Sequence, residues 1–199
     1  MSAVQALREF EQSLRELLSN THDYPEIVKK AQPLLKKLLA TPDLLPAEYR
    51  QTPSNKYGQY LLYKPEDEAF SIIAFVWGPG QISPVHDHLV WGLVGMYEGA
   101  IAEKRFRRID DRSNPTRAVL QEVETVHARA GDVSFVYPEE ADIHQVFNPH
   151  EGAAISIHVY GTDIGKQKRH VYDLQTGAIH DVVTKHDNEQ PVYAALSHN

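Results

Sequence analysis

The stretch Gly80-Gln81-Ile82-Ser83-Pro84-Val85-His86-Asp87-His88 decides how this chain is read. His86 and His88 stand two apart in a segment of extended character, and alternation along a strand sends such residues to the same face. Two imidazoles on one face form a chelating pair. Gly80 lies six residues before His86, and Gly92 and Gly99 follow.

Outward from this stretch, the chain from about Lys56 is a series of short branched and aromatic runs broken by Gly and Pro. The runs Tyr60 to Tyr63, Phe70 to Trp77, Val90 to Tyr97, Ala100 to Phe106 and Glu122 to Ala128 read as strands. So do Asp132 to Val136, Ala154 to Tyr160, His170 to Leu174 and Ala178 to Val183. Without long helices between them they imply an antiparallel sandwich or barrel. Gln175-Thr176-Gly177 reads as a hairpin turn, and Arg108 to Arg117 as a loop between two halves of the β-domain.

Before Lys56 the rhythm is helical. Val4, Leu7, Phe10, Leu14, Leu17 and Leu18 form one apolar stripe. A second helix is predicted from Pro25 to Leu39, with Asp23 as its cap and a kink or break at Pro33. The expected organisation is a single domain: helices over residues 1–50, a β-barrel over 56–183 and a tail over 184–199, read as an arm or a partly disordered segment.

A chain of 199 residues with 42% hydrophobic content can bury one substantial core. Its net charge of -7 argues against nucleic-acid and anionic-membrane partners, which need a basic face. The N-terminal segment carries acids where a secretory signal needs a basic start and an apolar run, and no stretch is apolar enough to span a bilayer. A cytoplasmic protein is expected; oligomeric state is open. With no cysteine, any metal must be held by nitrogen or oxygen, and the eleven histidines are the place to look.

In Ser156-Ile157-His158-Val159-Tyr160, alternation puts Ser156, His158 and Tyr160 on one face. A serine that orients an imidazole, which in turn meets a phenol, is a chain that sets tautomer and ring orientation. The other reading is an ordinary hydrogen-bonded wall.

At this point the sequence resembles the cupin superfamily, whose first signature fits Gly80, His86, His88 and Gly99, with Gly92 where a glutamate ligand is usual. The second signature is looser and fits Gly131, Pro138 and His144-Gln-Val-Phe-Asn148, with longer spacings. The resemblance implies a mainly β fold, the cupin double-stranded β-helix or jelly-roll barrel with N-terminal α-helices. It makes His144 the third metal ligand, with His158 or His180 as replacements. Three neutral nitrogens leave a divalent charge uncompensated and positions open, which suits an anionic thiolate and dioxygen, although the same set serves zinc.

The Ser156-His158-Tyr160 stripe resembles the outer triad of the thiol dioxygenases within that superfamily. That resemblance, over roughly residues 56–183, implies an Fe(II) enzyme turning a small thiol and O2 into a sulfinic acid. Where cysteine dioxygenase has Tyr-x-Arg, this chain reads Tyr57-Gly58-Gln59, and with no cysteine Tyr160 carries no cross-link. Gln59, Arg169 and the Trp91-Gly92 pair are similar to the bacterial 3-mercaptopropionate type, in which Arg169 and Gln59 would meet the substrate carboxylate. For a lone Arg in Lys166-Gln-Lys-Arg169 a surface salt bridge is the other reading. Cysteine dioxygenation and a non-catalytic metal-binding cupin are the alternative functions. His22, His127, His150, His170, His186 and His198 read as surface or structural.

Overall fold

The computed structural model describes residues 1–53, 55–194 and 196, so His198 lies outside the described residues. Helix α1 (Ala3–Asn20) begins where the Ser2 hydroxyl accepts the backbone N–H of Gln5. Its stripe buries Leu7, Phe10 and Leu14, while Val4, at the start of the stripe, remains exposed. Helix α2 (Tyr24–Leu39) is capped by Asp23, whose carboxylate accepts from Glu26 N–H. It runs through Pro33 as one helix, so the expected split in two does not occur. The carbonyl that Pro33 leaves without a helical partner belongs to Lys29, on the exposed side of the helix, where solvent can reach it.

Eleven strands follow among the described residues: β1 (Gly58–Tyr63), β2 (Ser71–Trp77), β3 (Val85–His86), β4 (Gly92–Glu98), β5 (Ala100–Arg108), β6 (Leu120–Arg129), β7 (Val133–Val136), β8 (Ile143–Phe147), β9 (Ala154–Tyr160), β10 (Arg169–Tyr172) and β11 (Ile179–Val182). They form two antiparallel sheets, β1-β2-β9-β4-β7 and β11-β10-β3-β8-β5-β6. This is the double-stranded β-helix of the cupin class, with two N-terminal helices. Helix α2 packs on β4 and β7, and the inner strands β2 and β9 of the same sheet are buried along their whole length. That explains the unbroken apolar reading of β2, Ser71-Ile-Ile-Ala-Phe-Val-Trp77, which shows no alternation. Gly95 is where the helix comes closest: a Cβ there would lie 2.8 Å from Leu39 and 2.9 Å from Leu35.

Two expectations change. The Arg108 to Arg117 segment does not join two halves of the β-domain, because β5 and β6 pair directly and the loop is a hairpin connection within one sheet. The tail docks: Asp187 and Asn188 bond to the backbone of Gln59 and Leu61 on the edge strand β1, and Val192 and Tyr193 add backbone bonds to Leu61 and Leu62. No helix among the described residues is long and apolar enough to cross a membrane.

Candidate metal centre

His86 and His144 lie directly opposite each other on β3 and β8, and their Nε2 atoms approach to 3.2 Å. His88 lies just past the end of β3, immediately before the bend at Leu89, and brings its ring to the same point. The ring centroids of the three histidines are 4.7 to 4.8 Å apart, and their ligand atoms lie within 4.8 Å of one another. Nitrogens about 3 Å apart are what two ligands give when each sits ~2.0–2.1 Å from one ion.

Each ring is held by its other nitrogen. His86 Nδ1 donates to the Pro84 carbonyl at 2.9 Å, and His144 Nδ1 to Glu103 Oε1 at 2.9 Å. His88 Nδ1 lies 3.1 Å from Asp142 Oδ1 and 3.2 Å from the Asp142 carbonyl. With every Nδ1 engaged, every Nε2 is turned inward as a free lone pair. His88 Nε2 is buried with no hydrogen-bond partner, an orphan that a cation would satisfy. Burial and the neighbouring histidines push the protonation of His86 and His88 well below the usual range, which keeps them neutral and able to ligate.

Glu103 and Asp142 were not singled out from the sequence. Burial raises the Glu103 carboxyl, but the His144 and Ser134 hydrogen bonds and the Arg105 charge together hold it at about 2. Asp142 feels the opposite balance: burial raises it even though it accepts the backbone N–H groups of His88 and Leu89. It therefore clamps the turn that carries His88, where Leu89 sits at φ 60. Asp142→Asn places an N–H donor against one of these donors whichever way the amide turns. It is expected to weaken metal affinity by about 10–100-fold, read by competition with a chelator. Unaltered affinity would remove Asp142 from this role.

A small cavity of about 40 Å³ opens beside the histidines, bounded by His86, His144, His158, Tyr160, Gln59 and Arg169. On a measure in which one water needs about 10–15 Å³, this admits a ligand of few atoms. A larger cleft of about 400 Å³ lies between the Asp110 to Leu120 and Tyr172 to Gly177 segments, open to solvent and away from the histidines. The chemistry converges in the smaller one. Along its wall Ser156 Oγ lies 2.8 Å from His158 Nε2, and His158 Nδ1 lies 2.8 Å from the Tyr160 hydroxyl. Burial lowers His158 to about 3 and raises Tyr160 above its usual range, so both are neutral at pH 7.

A model of the family Cysteine dioxygenase type I matches residues 36–173. The chain belongs to that family. Among solved structures, a protein from Thermus thermophilus is similar at 19% identity over 58% of this chain and 91% of its own, with a TM-score of 0.44. An uncharacterised conserved protein with a double-stranded beta-helix domain from Klebsiella pneumoniae is similar at 13% identity over 68% and 91%, with a TM-score of 0.43. An oxalate oxidase in complex with the substrate analogue glycolate is similar at 16% identity over 66% and 57%, with a TM-score of 0.43.

As a member of the cysteine dioxygenase family, the chain has Gly92 where cupins carry a glutamate, and the structure gives the reason. Gly92 lies beside Tyr160 in the sheet, and a Cβ at Gly92 would stand 2.5 Å from the Tyr160 ring. That ring stacks on His88 at 5.1 Å. The space a fourth ligand would cross is filled by the phenol.

Arg169, read also as a surface salt bridge, is instead 8% exposed, borders the cavity and has no ion pair among the described residues. Its Nε is buried without a partner. Gln59 lies on the same wall, its backbone N–H held by Asp187. His180, the alternative ligand, is exposed, and His158 is committed to Ser156 and Tyr160. Of the remaining histidines, His22, His127 and His150 are exposed, while His170 and His186 bond to Asp87 and Asp163. Trp77, whose indole N–H reaches Ser156 Oγ at 3.0 Å, went unnoticed in the sequence because it reads as one more apolar residue of β2.

Proposed function

We propose that the protein is an Fe(II) thiol dioxygenase that converts a small thiol carboxylate, 3-mercaptopropionate, to its sulfinic acid. The observation that carries the substrate choice is the charge inventory of the cavity. Arg169 borders it without a counter-ion, and no Asp or Glu lines it among the described residues. A guanidinium buried in this way favours a carboxylate, which it can bind through charge-assisted hydrogen bonds. An ammonium group would be desolvated there with nothing to receive it, so cysteine is the poorer ligand.

His86, His88 and His144 would hold the iron, which when bound supplies sites for a thiolate and dioxygen and the electrons that let them react. Burial keeps His86 and His88 neutral, and an iron held by imidazoles without a carboxylate would keep a net positive charge that favours the thiolate over the thiol. The net change, RSH + O2 → RSO2H, places both oxygen atoms on sulfur and needs no other reductant. Arg169 and Gln59 orient the substrate from its carboxylate end, and the limited volume excludes longer thiols. Ser156, His158 and Tyr160 present one phenol to the same cavity that the guanidinium borders. A cytoplasmic location is part of this reading, and the acidic chain has no role for nucleic acid in it.

The specificity constant for 3-mercaptopropionate is expected to exceed that for cysteine by about tenfold or more, the effect of one unpaired buried polar group. Sulfinate formation by iron-loaded protein, measured for both thiols at low concentration, tests this. Equal efficiency would overturn the substrate, and absence of sulfinate from any small thiol would favour a non-catalytic metal-binding cupin.

A further inference from the structure

Trp77 ends β2 in the buried core, 1% exposed, and its indole stacks on Tyr57 at 4.4 Å and on Phe75 at 5.9 Å, the three rings forming one cluster. The plane of the indole is thereby held, and its Nε1–H points at Ser156 Oγ, 3.0 Å away. Four groups thus stand in line: Trp77, Ser156, His158 and Tyr160. Three of them can either give or take a hydrogen. The indole can only give.

That one constraint propagates. Ser156 Oγ accepts from Trp77, and its own hydrogen needs an acceptor. The group in reach among the described residues is His158 Nε2. A neutral imidazole that accepts at Nε2 carries its proton on Nδ1, and Nδ1–H then donates to the Tyr160 oxygen. The phenolic hydrogen is left with no acceptor among the described residues, at a hydroxyl that borders the cavity next to His86 and His144. The reverse direction, from Tyr160 through His158 to Ser156, would strand the Ser156 hydrogen in a buried site with no other partner among the described residues. Orphaning a buried hydroxyl disfavours that arrangement by about tenfold or more.

We infer that Trp77 is a positioning residue that sets the direction of hydrogen donation along Ser156, His158 and Tyr160, so that Tyr160 meets the cavity ligand as a donor. Tyr160 therefore steadies an anionic atom of the ligand, and does not accept a hydrogen from it. Burial supports this by keeping His158 neutral, since an imidazolium would have no direction to choose. The proposed function enters only in naming the ligand; the direction itself stands on the protein alone.

The test is the tautomer of His158, read by long-range proton–nitrogen correlation in full-length protein labelled with 15N-histidine and kept diamagnetic by chelation. The His158 signals are assigned by their disappearance in His158→Gln. The expected result is a single tautomer with Nδ1 protonated, shifting in Trp77→Phe to a near-even mixture as Ser156 loses its fixed donor. If Trp77→Phe does not fold, tryptophan's benzothiophene analogue at position 77 keeps the bicycle, lacks the N–H and carries the same expectation. A wild-type His158 protonated on Nε2, or a tautomer unmoved by loss of the indole N–H, overturns the inference. Failure of thiol oxidation would overturn the proposed function and leave this result untouched.

Discussion

Replacing His88 with alanine is expected to abolish stoichiometric iron binding. The three histidines would be the iron's ligands: the Tyr160 ring occupies the approach from position 92, where a carboxylate ligand is usual, and the Glu103 and Asp142 carboxylates are engaged at the far nitrogens of His144 and His88. Losing a direct ligand should therefore exceed the roughly 100-fold upper range of a change in an outer hydrogen bond. A second effect adds to it. Asp142 would lose the imidazole N–H it holds and would keep the two backbone bonds of the turn, so the turn stays near its place while the ligand is gone. Iron per chain, measured after desalting, should fall from one to near zero in His88→Ala while near-ultraviolet circular dichroism stays native. One iron retained per chain would refute the three-histidine assignment.

The second large effect belongs to Arg169→Ala. Truncating a buried charged partner costs about 2–5 kcal/mol in comparable settings, because the other charge is left desolvated and unpaired. For 3-mercaptopropionate this corresponds to a fall in specificity constant of roughly 30-fold to several thousand-fold. The loss should fall mainly on the Michaelis constant, since the guanidinium touches the end of the substrate that does not react. With 2-mercaptoethanol, which lacks the carboxylate, the fall should be at least tenfold smaller. A parallel loss for both thiols would show that Arg169 supports the fold of the wall and does not recognise the substrate.

How much of this was legible in the sequence depended on distance along the chain. The stripe of Ser156, His158 and Tyr160 could be read because one strand carries all three, and two-residue alternation needs no knowledge of neighbours. The convergence of His86 and His88 could be read from their two-residue spacing, but the anchor of His88, Asp142, is 54 residues away. Glu103 is 41 residues from His144 and Trp77 is 79 from Ser156. Those pairings follow from sheet register, which a single chain does not spell out. Strand β8 was missed for a related reason: in Ile143-His-Gln-Val-Phe147 the buried His144 breaks the apolar run that marks a strand. The tail was read as an arm because Asp187 and Asn188 look like solvent-seeking residues. Their side chains in fact stand in for a backbone.

That substitution bears on self-association. A sheet's last strand normally offers its unpaired N–H and C=O groups to any extended segment nearby, and this is how folded β-proteins recruit one another into aggregates. Along β1 the offer is already taken by the Asp187 carboxylate, the Asn188 amide and the backbone N–H groups of Asp187, Val192 and Tyr193, an irregular mixture that does not present a regular edge to a further strand. The last segment of the described chain thus acts as a lateral stopper, ending the sheet beside the cavity wall that Gln59 helps to form.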